Sequence, residues 1–588
     1  MNLKNTFENT VAPMMTLTID GKKVEVPEGT KVIEAAQKAG ITIPRFCYHP
    51  ALSIAGVCRL CTVAIEGQKK GAISCNTPVA EGMVVYTNTP EIQETRKGIY
   101  ELHMANHPID CPVCDQSGEC VLQNYYMQVG RYKSAFKNTA EKVQKRKVVH
   151  LGEKIVLDTE RCILCDRCVR FCNEITKNYE LNRFNRGNHT EIGTFENRPL
   201  TGNYQENLVD VCPVGALLSK DFRFKVRVWW VEPVDSICNQ CSRGCNIQLH
   251  VRKKGGQVQN TVFHPTNEVY RIKPRLHADV NSYWICDVGR YSYKQIHTES
   301  RLSQPLKKGP RGLQAKGWAD AFEDIASRMR GIAQKSGPSS VAALGSAQHT
   351  NEENYLLWRW MKKMGTSPTV YHRAVPKGGR PGFHGDVDWG EFEDNLLIQK
   401  DKNPNTRGVQ AVGFHKEFTL DGAGLLPAIE RGEIKALYCL GDPLRDLQNK
   451  ETFLSALSAM ERLELLVVQD AYPSDLASRA TWVLPGVTFA EKEGTFTNFQ
   501  GRVQRIRKAI EPLGEAKADW EILSEFVKRF EGGEFSSAEG IFEALAQEIP
   551  AFHGMTYEMI GSKGVMLPLT QTLSPQSGER AKGEGFNP

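Results

Sequence analysis

Apolar and polar residues alternate over 16–19, break at Asp20-Gly21, and alternate again over 22–26, the period-two pattern of two strands joined by a two-residue turn. The pattern then changes to helical spacing at Val32, Ile33, Ala35 and Ala36, with Thr30 expected as N-cap and Gly40 as the stop. A second helix is expected over 92–105. Lys253-Lys254-Gly255-Gly256 reads as a hairpin turn. Further on, strand runs and helix starts take turns: 341–345 before Thr350-Asn351-Glu352-Glu353, 436–440 before Gly441-Asp442-Pro443, and 465–468 before Gln469-Asp470. Such alternation predicts a parallel α/β sheet. The longest apolar runs, such as 463–468, have strand length and fall far short of the roughly 18 residues of a membrane span, so membrane contact is expected only through partners.

The chain has 588 residues, 40% of them apolar, which gives room for about four packed domains. A net charge of +6 with dispersed basic residues gives no support to nucleic-acid binding. The N-terminus lacks the succession of a secretory signal, so a cytoplasmic location is expected. The polar start (1–14) reads as a flexible leader, and the Pro, Ser, Gly and Lys-rich end (566–588) as a disordered tail.

Cysteine placement changes the picture. Sixteen of the 17 cysteines fall in four bursts before residue 290, and only Cys439 lies beyond. A reducing compartment argues against disulfides, and C-x2-C spacing suits chelation. Zinc is the competing metal, but tight triplets with a remote fourth ligand suit iron–sulfur clusters better than paired zinc knuckles. The first burst is Cys47, Cys58, Cys61 and Cys75, with Gly56 and Gly67 placed to let backbone amides approach the sulfurs. The second is His107, Cys111, Cys114 and Cys120; the expected helix and Pro108 aim the imidazole at a fourth-ligand position. The third is Cys162, Cys165, Cys168 and Cys172, with Cys212-Pro213 downstream. In bacterial ferredoxins the Cys-Pro cysteine of such a run serves another cluster. Here Asn173 follows Cys172, whereas Pro213 follows Cys212, so Cys162, Cys165, Cys168 and Cys212 are taken as one 4Fe-4S set and Cys172 as a spare thiol, with a swapped role left open. The fourth, Cys238, Cys241, Cys245 and Cys286, fits another 4Fe-4S cluster across a permissive 40-residue gap.

The order of hairpin, helix and cysteine loop is similar to the plant-type ferredoxin β-grasp, which holds a 2Fe-2S cluster, although the first cysteine interval here is longer. The full ordered set resembles the G-subunit family of bacterial NADH:quinone oxidoreductase, respiratory complex I. The segment Phe489-Ala490-Glu491-Lys492-Glu493-Gly494, followed by Gly501-Arg502-Val503-Gln504, resembles the molybdopterin oxidoreductases.

The resemblance implies an α+β multidomain protein: a ferredoxin-like β-grasp (15–95), a His/Cys-ligated 4Fe-4S domain (96–145), a 4Fe-4S ferredoxin-type domain (146–225), a molybdopterin-oxidoreductase-type 4Fe-4S module (226–290) and a degenerate α/β molybdopterin-oxidoreductase-like domain (291–565). It implies electron transfer from a flavin/NADH-binding subunit toward quinone, through the Cys47 site, then the Cys162 site, then the His107 site, with the fourth cluster off the path and present in only some members. Expected partners are the flavin subunit, a 2Fe-2S partner subunit and a 4Fe-4S subunit leading to quinone, on the cytoplasmic side of the bacterial inner membrane. One 2Fe-2S and three 4Fe-4S clusters are expected, without molybdopterin, because the last domain is short and its one thiol, Cys439, reads as strand core. No glycine-rich fingerprint supports nucleotide binding. Two alternatives stand beside this: a component of a soluble NAD-linked hydrogenase or formate dehydrogenase, and a scaffold that clusters merely stabilise.

Overall fold

A computed structural model describes residues 12–131, 136, 139–252, 267–366, 368–372, 392–414, 424–445, 447 and 449–568. The turn at 253–256, most of the leader and most of the tail lie outside these residues. The chain divides into two units: the described residues up to Thr201 with Gln205–Trp229, and Gly202–Tyr204 with the described residues from Trp230 onward.

In the first unit, strands Met14–Ile19 and Lys22–Pro27 pair antiparallel, and Asp20 (φ 47°) and Gly21 (φ 79°) supply the left-handed turn that this connection needs. Helix Val32–Lys38 buries Val32, Ile33, Ala35 and Ala36 as the spacing requires. Its N-cap is Lys31 instead of Thr30. The Thr30 carbonyl is engaged by the Val79 amide, while the Glu34 carboxylate reaches back to accept the Lys31 amide at 2.9 Å. The five-stranded sheet runs in the order Lys22–Pro27, Met14–Ile19, Val84–Tyr86, Thr62–Ile65, Ala72–Ile73, with Met14–Ile19 parallel to Val84–Tyr86. Helix Pro90–Met104 is capped by Thr89 and pinned to this sheet by buried Arg96, which donates to the carbonyls of Thr87 and Thr62 at 2.7 Å each. Later in the unit, helix Arg167–Arg170 runs into a π-helical turn, Phe171–Ile175, and helix Asn207–Val211 ends at Cys212.

The second unit begins with a three-stranded antiparallel sheet, Glu232–Ile237, Asn246–Arg252 and Glu268–Pro274. Its main sheet has the order Gly312–Ala315, Leu306–Gly309, Trp482–Pro485, Leu465–Asp470, Ala436–Leu440, Val341–Ser346, Thr369–Tyr371, and the last five strands are mutually parallel. Ala436–Leu440 is buried at every position and Leu465–Asp470 at all but its last, the signature of a sheet covered on both faces. On one face Trp360 stacks on Phe526 at 4.6 Å with an interplanar angle of 2°, and Tyr438 meets Trp360 edge-on. Helix Asn351–Lys363 starts at Thr350 with a full capping box to Glu353. Among the described residues no helix is long and apolar enough to cross a membrane.

Candidate metal centres

All 17 cysteines are free thiols. Cys47, Cys58, Cys61 and Cys75 are buried together at the edge of the five-stranded sheet. The Phe46 and Cys47 amides donate to the Cys58 sulfur at 3.4 and 3.5 Å. The Cys58 thiol holds Cys47 down to about 5, and the Cys75 thiol holds Cys61 down to about 6, while Cys58 and Cys75 are pushed up in return. Cys47 also raises Cys61 and Cys75 through its charge, so all four sulfurs share one electrostatic neighbourhood. Of the two expected glycines, Gly56 turns at φ 62° against Ile73, and Gly67 has open space around it. Amides that reach sulfur include those of Phe46, Cys47, Val57, Cys58 and Cys75 instead.

In the second burst Cys111 opens a 3-10 turn and Cys120 caps helix Val121–Val129. His107 follows helix Pro90–Met104 directly, its amide bonded to the Met104 carbonyl at 3.1 Å. Burial and then the Arg161 charge lower its imidazole to about 4, which keeps the ring neutral, and its Nδ1 is buried with no hydrogen-bond partner. A neutral imidazole with a free ring nitrogen fits metal ligation. Cys114 lies in the same Arg161 field. The approach of Gly215 fits this too, because a β-carbon there would collide with the Cys114 sulfur.

Cys162, Cys165, Cys168 and Cys212 line one small, mostly apolar cavity, closed by Leu157, Val214 and Leu217. Burial pushes all four thiols up, to about 12 for Cys162 and Cys165. The backbone amides of Leu217, Val214 and Ala216 offset this at Cys212. Cys172 does not line the cavity. It is 2% exposed in the π-helical turn, and its sulfur takes the Leu181 amide. The tight loops place side-chain-bearing residues in the left-handed region: Arg59 between Cys58 and Cys61, Leu164 between Cys162 and Cys165, Asp166 between Cys165 and Cys168. Each such residue costs about 1–2 kcal/mol of backbone energy, and the curl turns amides inward, as at Leu164, whose N–H meets the Cys162 sulfur at 3.4 Å.

In the second unit, Cys238, Cys241 and Cys245 lie on the loop that joins two strands of the antiparallel sheet, and Cys286 caps helix Asp287–Tyr291 by accepting the Gly289 amide at 3.4 Å. A β-carbon on Gly289 would stand 2.9 Å from the Cys238 sulfur. All four thiols are raised by burial, and Cys238, Cys245 and Cys286 each feel the Cys241 charge. The third set lines one cavity, and within each of the other sets cysteines are linked by hydrogen bond or charge; such soft donors suit iron–sulfur clusters.

The same unit holds a cavity of about 150 Å³ at the carboxyl ends of the parallel strands, lined by His349, Tyr371, Asp442, Asp470, Lys492 and Asp519 among others. His349, Glu353 and Asp519 present ligand atoms within 4.8 Å of one another. Lys492 already answers the two carboxylates, at 2.8 Å to Glu353 and 2.7 Å to Asp519, and Arg445 pairs with Asp470 at 2.9 Å. Cys439 is fully buried in strand Ala436–Leu440 and does not line this cavity.

Sequence reasoning missed Arg161, Arg167, Arg170 and Gly215. Three are cations in or beside the motif Arg161-Cys162-Ile163-Leu164-Cys165-Asp166-Arg167-Cys168-Val169-Arg170, where positive charge among ligands is itself a signal.

Residues 12–90 match the family described as 2Fe-2S iron-sulfur cluster binding domain. Residues 96–135 match NADH-ubiquinone oxidoreductase-G iron-sulfur binding region, and residues 152–218 match NADH-quinone oxidoreductase subunit 3, ferredoxin-like domain. Residues 234–294 match NADH-ubiquinone oxidoreductase NDSU1/NuoG-like, 4Fe-4S domain, and residues 301–380 and 388–529 match molybdopterin oxidoreductase. The NADH-ubiquinone oxidoreductase 78 kDa subunit of Candida albicans is 31% identical across 86% of this chain and 81% of its own length. The NADH-quinone oxidoreductase G subunit of Rickettsia bellii is 29% identical across 92% and 90%. NADPH-Fe(3+) oxidoreductase subunit alpha of Geobacter sulfurreducens is 28% identical across 96% and 86%.

Proposed function

Since this chain belongs to the family of the NADH-quinone oxidoreductase G subunit and the mitochondrial 78 kDa subunit, we infer that it is the iron–sulfur electron-transfer subunit of such a complex, relaying electrons from NADH toward quinone. The observation that carries this reading is the grouping of soft-donor side chains, most of them buried, with Cys162, Cys165, Cys168 and Cys212 lining one cavity. Cys47, Cys58, Cys61 and Cys75 hold a 2Fe-2S cluster. Three 4Fe-4S clusters are held by His107 with Cys111, Cys114 and Cys120; by Cys162, Cys165, Cys168 and Cys212; and by Cys238, Cys241, Cys245 and Cys286. When bound, the clusters supply the one-electron redox chemistry, and the protein sets their position, potential and insulation.

The chain's own residues bring three of these sites side by side. Arg170 donates to the carbonyls of Cys47 and Cys165, so the first and third bursts share one guanidinium. The Pro213 carbonyl accepts the Val121 amide at 3.0 Å and lies 3.9 Å from the Cys120 sulfur, so the segment that begins at Cys212 reaches the second burst. The Cys162 group therefore adjoins both of the others, which is consistent with the order of transfer expected from the family.

The charge pairing in the second unit's cavity supports a reading without a pterin cofactor. Among the described residues its lysine and arginine are already committed to carboxylates, leaving no surplus positive charge for a phosphate group. The domain around it is read as packing mass, and no step runs through molybdenum. The partners of this reading are the flavin/NADH-binding subunit, a 2Fe-2S subunit and a 4Fe-4S subunit leading to quinone, on the cytoplasmic side of a bacterial inner membrane, with membrane contact only through them.

The test is purification of the assembled complex, with NADH reduction followed by electron paramagnetic resonance (EPR). Four cluster signals, co-purifying quinone-reducing membrane subunits, and iron and sulfide without stoichiometric molybdenum or pterin support the reading. His107→Ala should abolish one 4Fe-4S signal and spare the others; an unchanged set of signals removes His107 from the ligands. The Geobacter relative's name favours a second reading, a carrier within an NADPH-Fe(3+) oxidoreductase, and NADPH-dependent iron(III) reduction by the purified complex without quinone-reducing membrane subunits would select it.

A further inference from the structure

Arg167 and Arg170 lie on the short helix that carries Cys168, and both reach out of the third burst into the first. The Arg170 Nη2 donates to the Cys47 carbonyl at 2.5 Å and to the Cys165 carbonyl at 3.4 Å, while its Nη1 donates to the Ser53 carbonyl. Arg167 donates to the Tyr48 carbonyl at 2.7 Å and to the Val211 carbonyl, next to Cys212, at 3.4 Å. The two side chains thus touch the backbone of ligands, or of their immediate neighbours, on both sides of the junction.

Charge makes the arrangement more than a clamp. Among the described residues neither guanidinium pairs with a carboxylate; their acceptors are all neutral carbonyls. The Nε of each is buried without a partner. Uncompensated buried charge is costly, so a counter-charge belongs nearby. The Asp166 carboxylate beside Arg170 is already paired with Arg183 at 2.9 Å, and the backbone that the two guanidiniums grip belongs to Cys47, Cys165 and the neighbours of Cys47 and Cys212, so the thiolate ligands of the two sites are left to supply the counter-charge.

We propose that Arg167 and Arg170 are shared tuning residues for the Cys47 and Cys162 sites: they supply the counter-charge of both clusters, fix the spacing between the two loops, and raise both reduction potentials together. Reduction adds a negative charge, and a nearby fixed cation favours it at each site. Arginine suits this role because it stays protonated and its planar fork can serve carbonyls on two sides at once. The inference rests on the ligand assignments proposed above.

The experiment is a redox titration of the assembled complex, followed by EPR, for the unsubstituted protein, Arg170→Gln and Arg170→Lys. Arg170→Gln should shift the oxidised-to-reduced ratio of both clusters about tenfold toward the oxidised form at a fixed applied potential, about 59 mV for a one-electron couple. Arg170→Lys should recover most of that shift, and the His107 cluster should hold its potential in both variants. Unmoved potentials, movement of only one cluster, or a lysine variant no better than glutamine would overturn the proposal. If Arg170→Gln fails to retain both signals, Arg167→Gln is read by the same criteria, and loss of signals in both variants reduces the pair to packing and ends the proposal. Absence of the two signals from the unsubstituted complex would instead strike at the ligand assignment itself.

Discussion

Gly215 is packed so closely against Cys114 that its α-carbon has no room for a side chain, although 101 positions separate the two in sequence and they belong to different cysteine bursts. The segment Cys212-Pro213-Val214-Gly215 gives a thiol to one cavity and its backbone to the wall of the next. Two predicted centres are built on one stretch of four residues.

Gly215→Ala should therefore damage the His107 centre before any other. The methyl group must displace the Cys114 sulfur, an overpacking cost of about 1–3 kcal/mol. EPR of the purified variant should show that one 4Fe-4S signal weakened or shifted, with the 2Fe-2S signal intact. Four signals identical to those of the unsubstituted protein would refute the steric argument.

Cys212→Ser and Cys172→Ser should behave oppositely. Cys212 lines the cavity with the triplet, whereas Cys172 sits outside it and takes the Leu181 amide. The first substitution should strip or convert the cluster of the Cys162 group, and the second should leave iron content and spectrum unchanged. Iron quantification beside EPR decides between them.

Lys492→Met should destabilise the second unit by about 3–5 kcal/mol, because Glu353 and Asp519 would remain buried without their cation. Burial pushes Asp519 up, but the Lys492 charge wins and holds it well below the ordinary carboxylate range. A carboxyl lowered on folding contributes stability above its unfolded pKa and loses it as pH falls through the folded value. That contribution should be present at neutral pH in the unsubstituted protein and missing in the variant, so the difference in Tm between them should narrow in acid. Calorimetry at pH 7 and at about pH 2, below the unfolded carboxylate value, measures it.

Glu352 should give the opposite pH slope. It is fully buried, and burial raises it to about 7 even though Thr495 and Tyr557 donate to its carboxyl. A carboxyl raised on folding binds a proton more tightly in the native state, so its contribution is intact below the unfolded pKa and is lost as pH rises toward 7. At about 1.36 kcal/mol per pKa unit, the loss amounts to a few kcal/mol between pH 4.5 and 7. In Glu352→Gln this part of the slope should vanish, and urea unfolding at pH 5 and pH 7.5 in the two proteins provides the comparison. Equal slopes would mean that Glu352 is ionised in the native state.

Much of this was legible in sequence where the determinants are local. Asp20-Gly21 marks its turn because left-handed backbone is cheap for those residues, and the strand at Cys439 is recognisable from five consecutive apolar positions. Pro213 is the local sign that separates Cys212 from Cys172, and Cys212 lines the cavity with the triplet. The one-residue error at Thr30 arose because a loop 49 positions away claims its carbonyl, which no local signal announces. Long-range proximity was likewise hidden: spacing groups cysteines into bursts but says nothing about which bursts adjoin. The arginines that join them read as ordinary charged residues until their acceptors are known.

The wall that Pro213 and Gly215 provide also bears on maturation. Cys120 leaves the ribosome 93 residues ahead of Pro213, so the His107 burst is open on one side while the chain is being made. Enclosure of that burst therefore waits for the Cys212 segment to dock, so folding of the third burst precedes closure of the second.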